Sequence, residues 1–69
     1  MKMRYDHEDD VLMIWFDTDK KVYTAEQVGS SILHTTQQGE PVLLEILNAR
    51  EFVVDLVRTA LSPTEAAAD

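Results

Sequence analysis

Short apolar runs alternate with polar turns along most of the chain, a pattern that predicts a small antiparallel sheet. The first strand covers Lys2 to Tyr5, where polar and apolar residues alternate. Asp6 to Asp9 forms the turn after it, because Asp side chains accept hydrogen bonds from backbone amides two residues further on. The second strand, Val11 to Phe16, consists of six apolar residues in a row. A strand that is apolar on both sides must be covered on both faces of its sheet.

Three more strands are predicted after a turn at residues 17–20. The third, about Lys21 to Val28, mixes polar and apolar side chains, which is typical of a strand nearer the edge of a sheet. The fourth covers Ser31 to Thr36. The fifth covers Pro41 to Leu47, since proline is tolerated as the first residue of a strand. Except at Glu45 the fifth strand is apolar on both sides, so two strands need cover on both faces.

A helix is predicted at the C-terminal end of the chain. Asn48 to Glu51 has the form of a capping box, in which the Asn48 side chain accepts the amide of Glu51 and the Glu51 side chain reaches back. Apolar residues then recur at helical spacing from Phe52 to Leu61. Pro63 ends the helix, because the residue before a proline is disfavoured in the helical conformation.

These elements predict an α+β fold, an antiparallel β-meander of about five strands with one C-terminal helix. We expect a single domain over residues 1–61 and a flexible C-terminal tail over residues 62–69. One helix covers only one face of the sheet, so an apolar patch remains on the other, and such patches usually mark an interface. The sequence leaves open which face the helix takes. The candidate interface residues are Val11, Met13, Trp15, Leu43 and Leu47, unless the opposite sides of these strands are left uncovered.

Length and composition favour self-association. A chain of 69 residues buries only about 60% of the surface of its unfolded form, and without cysteine it has no disulfide to compensate. Small domains of this kind often gain burial by oligomerising. Two sheets packed face to face would cover the apolar patch, so the sequence predicts a homodimer.

The charge of the chain favours some partners over others. Thirteen acidic residues against six basic ones give a net charge of −7, and the basic residues are scattered, so direct binding of nucleic acid is not expected. An acidic surface suits solubility or a basic protein partner. The longest apolar run is too short to span a membrane, and the N-terminus lacks the apolar segment of a signal peptide. We therefore expect a cytoplasmic protein without a membrane partner.

Candidate chemistry is sparse. The acidic turn, Asp6 to Asp10 around His7, has neither the spacing nor the glycine of a calcium-binding loop, so we interpret it as a solvated turn without metal. His34 is interpreted as an ordinary strand residue. The chain contains no phosphate-binding or dinucleotide-binding glycine motif and no nucleophile elbow. We therefore predict no catalytic residue, cofactor or metal site.

Two carboxylates keep an enzymatic alternative open. Glu45 shares its side of the fifth strand with apolar neighbours, and paired, partly desolvated carboxylates are common in general acid and base catalysis. Glu26, on the third strand, lies on the same face or on the opposite one. The preferred interpretation is structural, with Glu45 near solvent or paired with Arg4, Lys21 or Arg50.

Further residues carry a family resemblance. In order and spacing over about residues 2–52, they are Met3-Arg4-Tyr5-Asp6, Glu8, Asp10-Val11-Leu12, Glu26-Gln27-Val28, Ile32-Leu33, Gly39 and Glu45-Ile46-Leu47-Asn48-Ala49. This set resembles a small bacterial family catalogued as domain of unknown function 2283, whose members begin with a Y-D-x-E-x-D-x-L-Y-I hairpin and close with G-I-E-I-L-D-A before a short helix. The resemblance implies a β-meander with a helix and no known enzyme activity or cofactor. Some members sit beside genes for small toxin-like proteins, which implies an antitoxin-like or accessory role.

The chain departs from the family pattern in three places. Residues 34–38 lack the acidic residues that the family carries after its fourth strand, which weakens the idea of a cation site there. Trp15 stands where relatives have smaller or charged residues, and the helix is longer than in many members. The last two departures favour self-association.

The sequence therefore predicts a non-enzymatic, acidic, dimeric module for protein–protein interaction, with an antitoxin-like role as its sharper version. The alternative is a small-molecule binder or minor enzyme that uses Glu45 and Glu26 in a cleft at the dimer interface.

Overall fold

The elements follow one another as predicted. A computed structural model describes residues 1–62, so residues 63–69 of the predicted tail lie outside the described residues. The strands are β1 (Lys2–Asp6), β2 (Val11–Trp15), β3 (Thr24–Val28), β4 (Ser31–Thr35) and β5 (Pro41–Leu47), and helix α1 (Ala49–Ala60) follows them. The predicted fold class, α+β with five antiparallel strands and one C-terminal helix, is confirmed. The end of the domain at residue 61 stays a prediction.

The most apolar strands lie in the interior of the sheet. The strand order is β1-β2-β5-β4-β3, so the meander runs in two sequential parts that join where β5 pairs with β2. Because β2 and β5 are apolar on both sides, pairing them next to each other shields both strands best from water. The polar strand β3 is exposed along its whole length at one edge, as its mixed sequence predicts.

The pairing register assigns the side chains to two faces, because directly opposite residues on paired strands point to the same side. One face, called the Tyr5 face, carries Met3, Tyr5, Leu12, Ile14, Glu26, Val28, Ser31, Leu33, Leu44 and Ile46. The other, called the Trp15 face, carries Lys2, Arg4, Val11, Met13, Trp15, Ala25, Gln27, Ile32, His34, Leu43, Glu45 and Leu47.

The core is small and centred on β5. Val42 and Ile46 are each 3% exposed, and Ala49 at the start of α1 is buried as well. The pairing of β4 with β5 shifts between His34 and Thr35, and Val42 is the residue without a partner on β4. The Val42 carbonyl instead accepts the amide of Phe16 at 2.8 Å, which ties the end of β2 to β5.

The third strand begins at Thr24, three residues later than predicted. The preceding segment is held as a loop by side chains that the alternation pattern does not reveal. The Asp17 carboxylate accepts the amide of Asp19 at 2.9 Å, and the Lys20 ammonium lies 2.6 Å from the Glu40 carboxylate. This hydrogen bond to Glu40 raises the pKa of Lys20, and it joins the β2–β3 loop to the β4–β5 loop.

Helix α1 covers neither face of its own sheet, so the prediction that it covers one face is wrong. It does not pack along any strand, and every residue from Arg50 to Ala60 is exposed. Phe52 is 42% exposed and Leu56 is 56% exposed. The Cα radius of gyration, 14.5 Å, exceeds the ~11 Å of a compact chain of this length. The helix is therefore buried against the sheet only at its first residue, Ala49.

The predicted capping box is also wrong. Asn48 precedes the helix in the left-handed conformation, with φ 52° and ψ 48°, and its side chain makes no capping hydrogen bond. The Asp10 carboxylate, on the turn between β1 and β2, accepts the amide of Arg50 at 3.1 Å instead. The free backbone amide of Arg50 in the first turn of α1 is thus satisfied by a residue 40 positions earlier in the chain.

Candidate interaction surface

Exposed apolar side chains are concentrated on α1 and on the Tyr5 face. On the Tyr5 face, Met3 is 60% exposed, and Tyr5, Val28 and Leu33 are exposed too. On the helix, the exposed apolar residues are Phe52, Val53, Val54, Leu56 and Val57. Scattered apolar residues are normal on a protein surface, whereas a contiguous apolar patch usually marks an interaction site. We define these helix and Tyr5-face side chains together as the interaction surface.

An open groove lies between α1 and the Tyr5 face. Its volume is about 510 Å³, and it is lined by Tyr5, Leu12, Ala49, Arg50, Val53 and Val54. Five of these residues present apolar or aromatic carbon, and the Arg50 guanidinium is the charged group among them. The groove therefore offers an apolar cleft with one cation in its lining.

Four hydrogen bonds, called the latch, fix the start of α1 to the β1–β2 turn. The Tyr5 hydroxyl donates to the Asp10 carboxylate at 2.7 Å, and Arg50 Nε donates to the Tyr5 oxygen at 3.0 Å. The amides of Ala49 and Arg50 donate to the Asp10 carbonyl and carboxylate at 3.0 and 3.1 Å. Asp10 itself has φ 56°, a conformation that Asp adopts more readily than most residues.

The latch changes the acid–base properties of two of its members. The hydrogen bond from the Tyr5 hydroxyl lowers the pKa of the Asp10 carboxyl below its usual value, and the Arg50 amide adds to this effect. The same bond raises the pKa of the Tyr5 hydroxyl, because ionised Tyr5 would lose its donor proton beside a carboxylate. Near neutral pH the latch therefore holds a carboxylate and a neutral phenol.

The five residues predicted as interface candidates share one face, the Trp15 face. Val11, Met13, Trp15, Leu43 and Leu47 are all half-buried there. The Lys2 ammonium lies 5.4 Å from the centroid of the Trp15 ring, within the range of a cation–π interaction. Their role in an interface stays a prediction. The more exposed apolar side chains lie on the opposite face and on the helix.

The two candidate functional carboxylates are not brought together. Glu26 lies on the Tyr5 face and Glu45 on the Trp15 face, because they are opposite to Leu33 and Ile32 on β4. Glu45 pairs with His34 rather than with one of the expected basic residues, at 2.5 Å between Glu45 Oε1 and His34 Nε2. Both side chains are half-buried, so the imidazole satisfies a carboxylate on an otherwise apolar part of the sheet.

The acidic turn has the local structure expected of it. The Asp6 carboxylate accepts the amides of Glu8 and Asp9 at 3.0 and 3.1 Å. Among residues 1–62, no group of three or more His, Asp or Glu side chains is arranged to hold a metal ion. Over the same residues, no helix has the length and apolar content that crossing a membrane requires.

Sequence reasoning missed the role of Asp10, Tyr5 and Arg50. In the sequence Asp10 stands with the other acidic residues of its turn, although it directly precedes β2 and belongs to a different hydrogen-bond network. The signal in the sequence is weak, because a cap that comes from a distant turn leaves no local motif. The apolar side of α1 is visible as a pattern, but its lack of cover is not.

Comparison with known proteins gives a family without an assigned activity. No curated protein and no solved structure matches the chain significantly. The model of the family described as "Protein of unknown function (DUF2283)" matches residues 2–50, which takes in the whole sheet and the latch but stops at the start of α1. The predicted resemblance is thereby confirmed, and because the match spans most of the chain, the protein belongs to the DUF2283 family.

Proposed function

We propose that the protein is a non-enzymatic protein-interaction module that works as a homodimer and is held together by the interaction surface. The observation that carries this proposal is the exposure of α1. An isolated helix of about 12 residues is only marginally stable in water, and most helices in proteins depend on packing of their apolar side. Here Ala49 is the buried residue of the helix, and every residue from Arg50 to Ala60 is exposed.

The area of the interaction surface suits a stable interface. Standard interfaces between proteins bury roughly 800 Å² on each partner. The exposed parts of the apolar side chains on α1 and on the Tyr5 face together have an area on that order. A second copy of the chain carries the same apolar surface, and a two-fold arrangement would bury both surfaces at once.

The net charge supports a further partner for the dimer. With −7 per copy, a dimer doubles the negative field, which attracts basic proteins and repels nucleic acid. Glu8 and Asp9 of the acidic turn are exposed and are not among the residues that line the groove, so their charges are available to such a partner. An antitoxin-like role, in which the acidic dimer neutralises a basic protein encoded beside it, is the sharper form of this proposal. A cytoplasmic location is proposed with it.

The first experiment measures mass against concentration. Light scattering and sedimentation of the full chain from low to high micromolar concentration should give twice the 7.9 kDa of one copy at the upper end. The melting temperature should rise with protein concentration, because association stabilises the folded state by mass action. A monomer mass throughout, with a melting temperature independent of concentration, would overturn the proposal.

A second experiment addresses the basic partner. Co-expression with the product of the neighbouring gene should give a complex that survives purification and weakens as salt is raised, since surface charges are screened over about 8 Å at 0.15 M salt. A complex that does not respond to salt, or no complex with any neighbour product, would contradict the electrostatic part of the proposal.

The alternative function, a small-molecule binder or minor enzyme, is favoured by one observation, the Glu45–His34 pair. A carboxylate that orients an imidazole is a common arrangement in acid–base chemistry. In a dimer, that pair would have to face a cleft to act on a ligand. Substitution Glu45→Gln keeps the shape of the side chain, so it should abolish ligand binding under this alternative and leave the dimer mass unchanged under the leading proposal.

A further inference from the structure

We propose that the two copies exchange their helices, so that α1 of each copy lies across the Tyr5 face of the other. This inference rests on the proposed self-association and specifies its geometry. It assigns the groove between α1 and the Tyr5 face to the helix of a second copy of the chain.

The latch fixes the start of α1 to the β1–β2 turn. Ala49 and Arg50 are tied to Asp10 through their backbone amides, and the Arg50 side chain is tied to Tyr5. Asn48 in its left-handed conformation sets the turn between β5 and the helix. Beyond these bonds every residue from Arg50 to Ala60 is exposed, so the apolar side of the helix is open to another chain.

The dimensions of the helix and the sheet match. A helix of 12 residues is about 18 Å long at 1.5 Å per residue. Five strands have four gaps of about 4.8 Å, so the sheet is about 19 Å wide across its strands. A helix that lies across the strands would therefore touch all five of them, which is more cover than a helix aligned with one or two strands would give.

The side chains match as well. At 100° per residue, α1 has a continuous apolar side, and the residues on it are Phe52, Val53, Leu56, Val57 and Ala60. Glu51, Asp55 and Arg58 lie on the other side, where they would remain in water. On the Tyr5 face, charge is limited to Glu26 on the edge strand β3, and the middle of the face is apolar. The Trp15 face carries Lys2, Arg4 and the Glu45–His34 pair and is a poorer match for an apolar helix.

An apolar small molecule is the rival occupant of the groove. The groove volume, about 510 Å³, lies within the range of ligand-binding pockets. Val53 and Val54 of α1 form one wall of the groove and offer apolar contacts to whatever enters it. Side chains of the partner's helix can fill the groove while the rest of that helix covers the Tyr5 face. The exposure of α1 from Arg50 to Ala60, and not of the groove alone, favours the second copy.

Cross-linking between engineered cysteines tests the exchange, and the absence of native cysteine makes the experiment clean. One copy carries Leu56→Cys on α1, and a second copy with a larger tag carries Leu33→Cys on the Tyr5 face. The two are co-expressed, purified together and treated with a short bismaleimide. Helix exchange predicts a covalent product of the two tagged chains. The matched control replaces Leu33→Cys by Ala25→Cys, which lies on the neighbouring strand but on the Trp15 face, and should give at least tenfold less product.

Hydrogen exchange on the unaltered chain provides a second measurement. Under helix exchange, the amides of Phe52 to Ala60 become protected at high concentration and lose that protection on dilution, whereas the amides of β5 stay protected by the sheet.

The outcomes separate the two proposals. If the wild-type chain is a dimer but Leu56→Cys reacts with Ala25→Cys and not with Leu33→Cys, self-association stands and helix exchange is wrong. Helix exchange is equally wrong if the dimer forms while the helix amides exchange at the same rate at every concentration. If the wild-type chain is a monomer and the groove takes up an apolar probe such as anilinonaphthalene sulfonate at one site, both proposals fall.

Discussion

Substitution Leu56→Gln should weaken the dimer about 30-fold, while Arg58→Gln should leave it nearly unchanged. Leu56 lies in the middle of the apolar side of α1 and is 56% exposed in the single chain. Complete burial of a leucine side chain stabilises a protein by about 1.5 to 3 kcal/mol. Covering the exposed half therefore contributes about 1 kcal/mol per copy, and about 2 kcal/mol per dimer. At about 1.4 kcal/mol per tenfold change in Kd, the loss corresponds to about 30-fold.

The control variant is matched in two respects. Leucine, arginine and glutamine have similar helix propensities, so neither substitution changes the intrinsic stability of α1 by much. Arg58 lies on the polar side of the helix, and its nearest acidic oxygen, on Asp55, is 3.9 Å away and exposed, which makes their ion pair weak. Since Arg58→Gln also alters the net charge, both variants should be compared at about 0.15 M salt, where exposed charges are largely screened.

Sedimentation equilibrium measures the Kd of each variant, and far-ultraviolet circular dichroism shows whether the sheet is retained. A dimeric wild-type chain whose Kd is unaffected by Leu56→Gln would contradict this prediction, since the apolar side of α1 would then lie outside the interface. Equal weakening by the two variants would refute it as well, because it would indicate a general effect of the helix and not of its apolar side.

Two further predictions concern the latch and the core. Asp10→Asn should lower the melting temperature at neutral pH more than Asp9→Asn does, because both remove one charge but only Asp10 holds α1. The pKa of Asp10 is lower in the folded chain than its unfolded value of about 4, so its stabilising contribution is present above that value and is lost as the pH falls through the folded pKa. In thermal scans from neutral pH downward, Asp10→Asn should therefore make the melting temperature less dependent on pH on the acid side. An unchanged acid slope would contradict this. Ile46→Ala should lower the free energy of unfolding, measured in urea, by about 2 to 5 kcal/mol. Val22→Ala, at an exposed loop position, should change it by less than about 0.5 kcal/mol. Similar losses at the two sites would mean that the core is not centred on β5.

The strands are predictable because their signal is local. β5 has the predicted bounds, and β1, β2 and β4 each differ from the prediction by one residue at one end. Alternation also places Val11, Met13 and Trp15 correctly on one face. Alternation describes each strand by itself, however, and says nothing about which strands become neighbours. The faces of Glu26 and Glu45 therefore follow only from the register of β3, β4 and β5.

The helix shows where local reasoning fails. Its apolar side follows from the spacing of residues 52–61, but its direction depends on a hydrogen bond between residues 10 and 50. A capping box is the natural interpretation of Asn48 to Glu51, yet Asn48 adopts a left-handed conformation that places its side chain outside capping geometry. Hydrogen bonds between distant residues have no periodicity in the sequence, so neither the latch nor the uncovered helix could be anticipated.

The latch and the uncovered helix are best understood as parts of one arrangement. If α1 served only to stabilise its own chain, the apolar residues of the helix would gain most by lying on the nearby Tyr5 face, where Met3, Val28 and Leu33 are exposed. Asp10, Tyr5 and Arg50 instead bind the start of the helix in a direction that keeps these two apolar surfaces apart. An arrangement that keeps complementary surfaces of one chain from meeting leaves them available to a second chain, and in the proposed dimer the same contacts would form in duplicate. In the proposed dimer the acidic turn and strand β2 act together, since Asp10 at their junction would orient the helix that the partner receives.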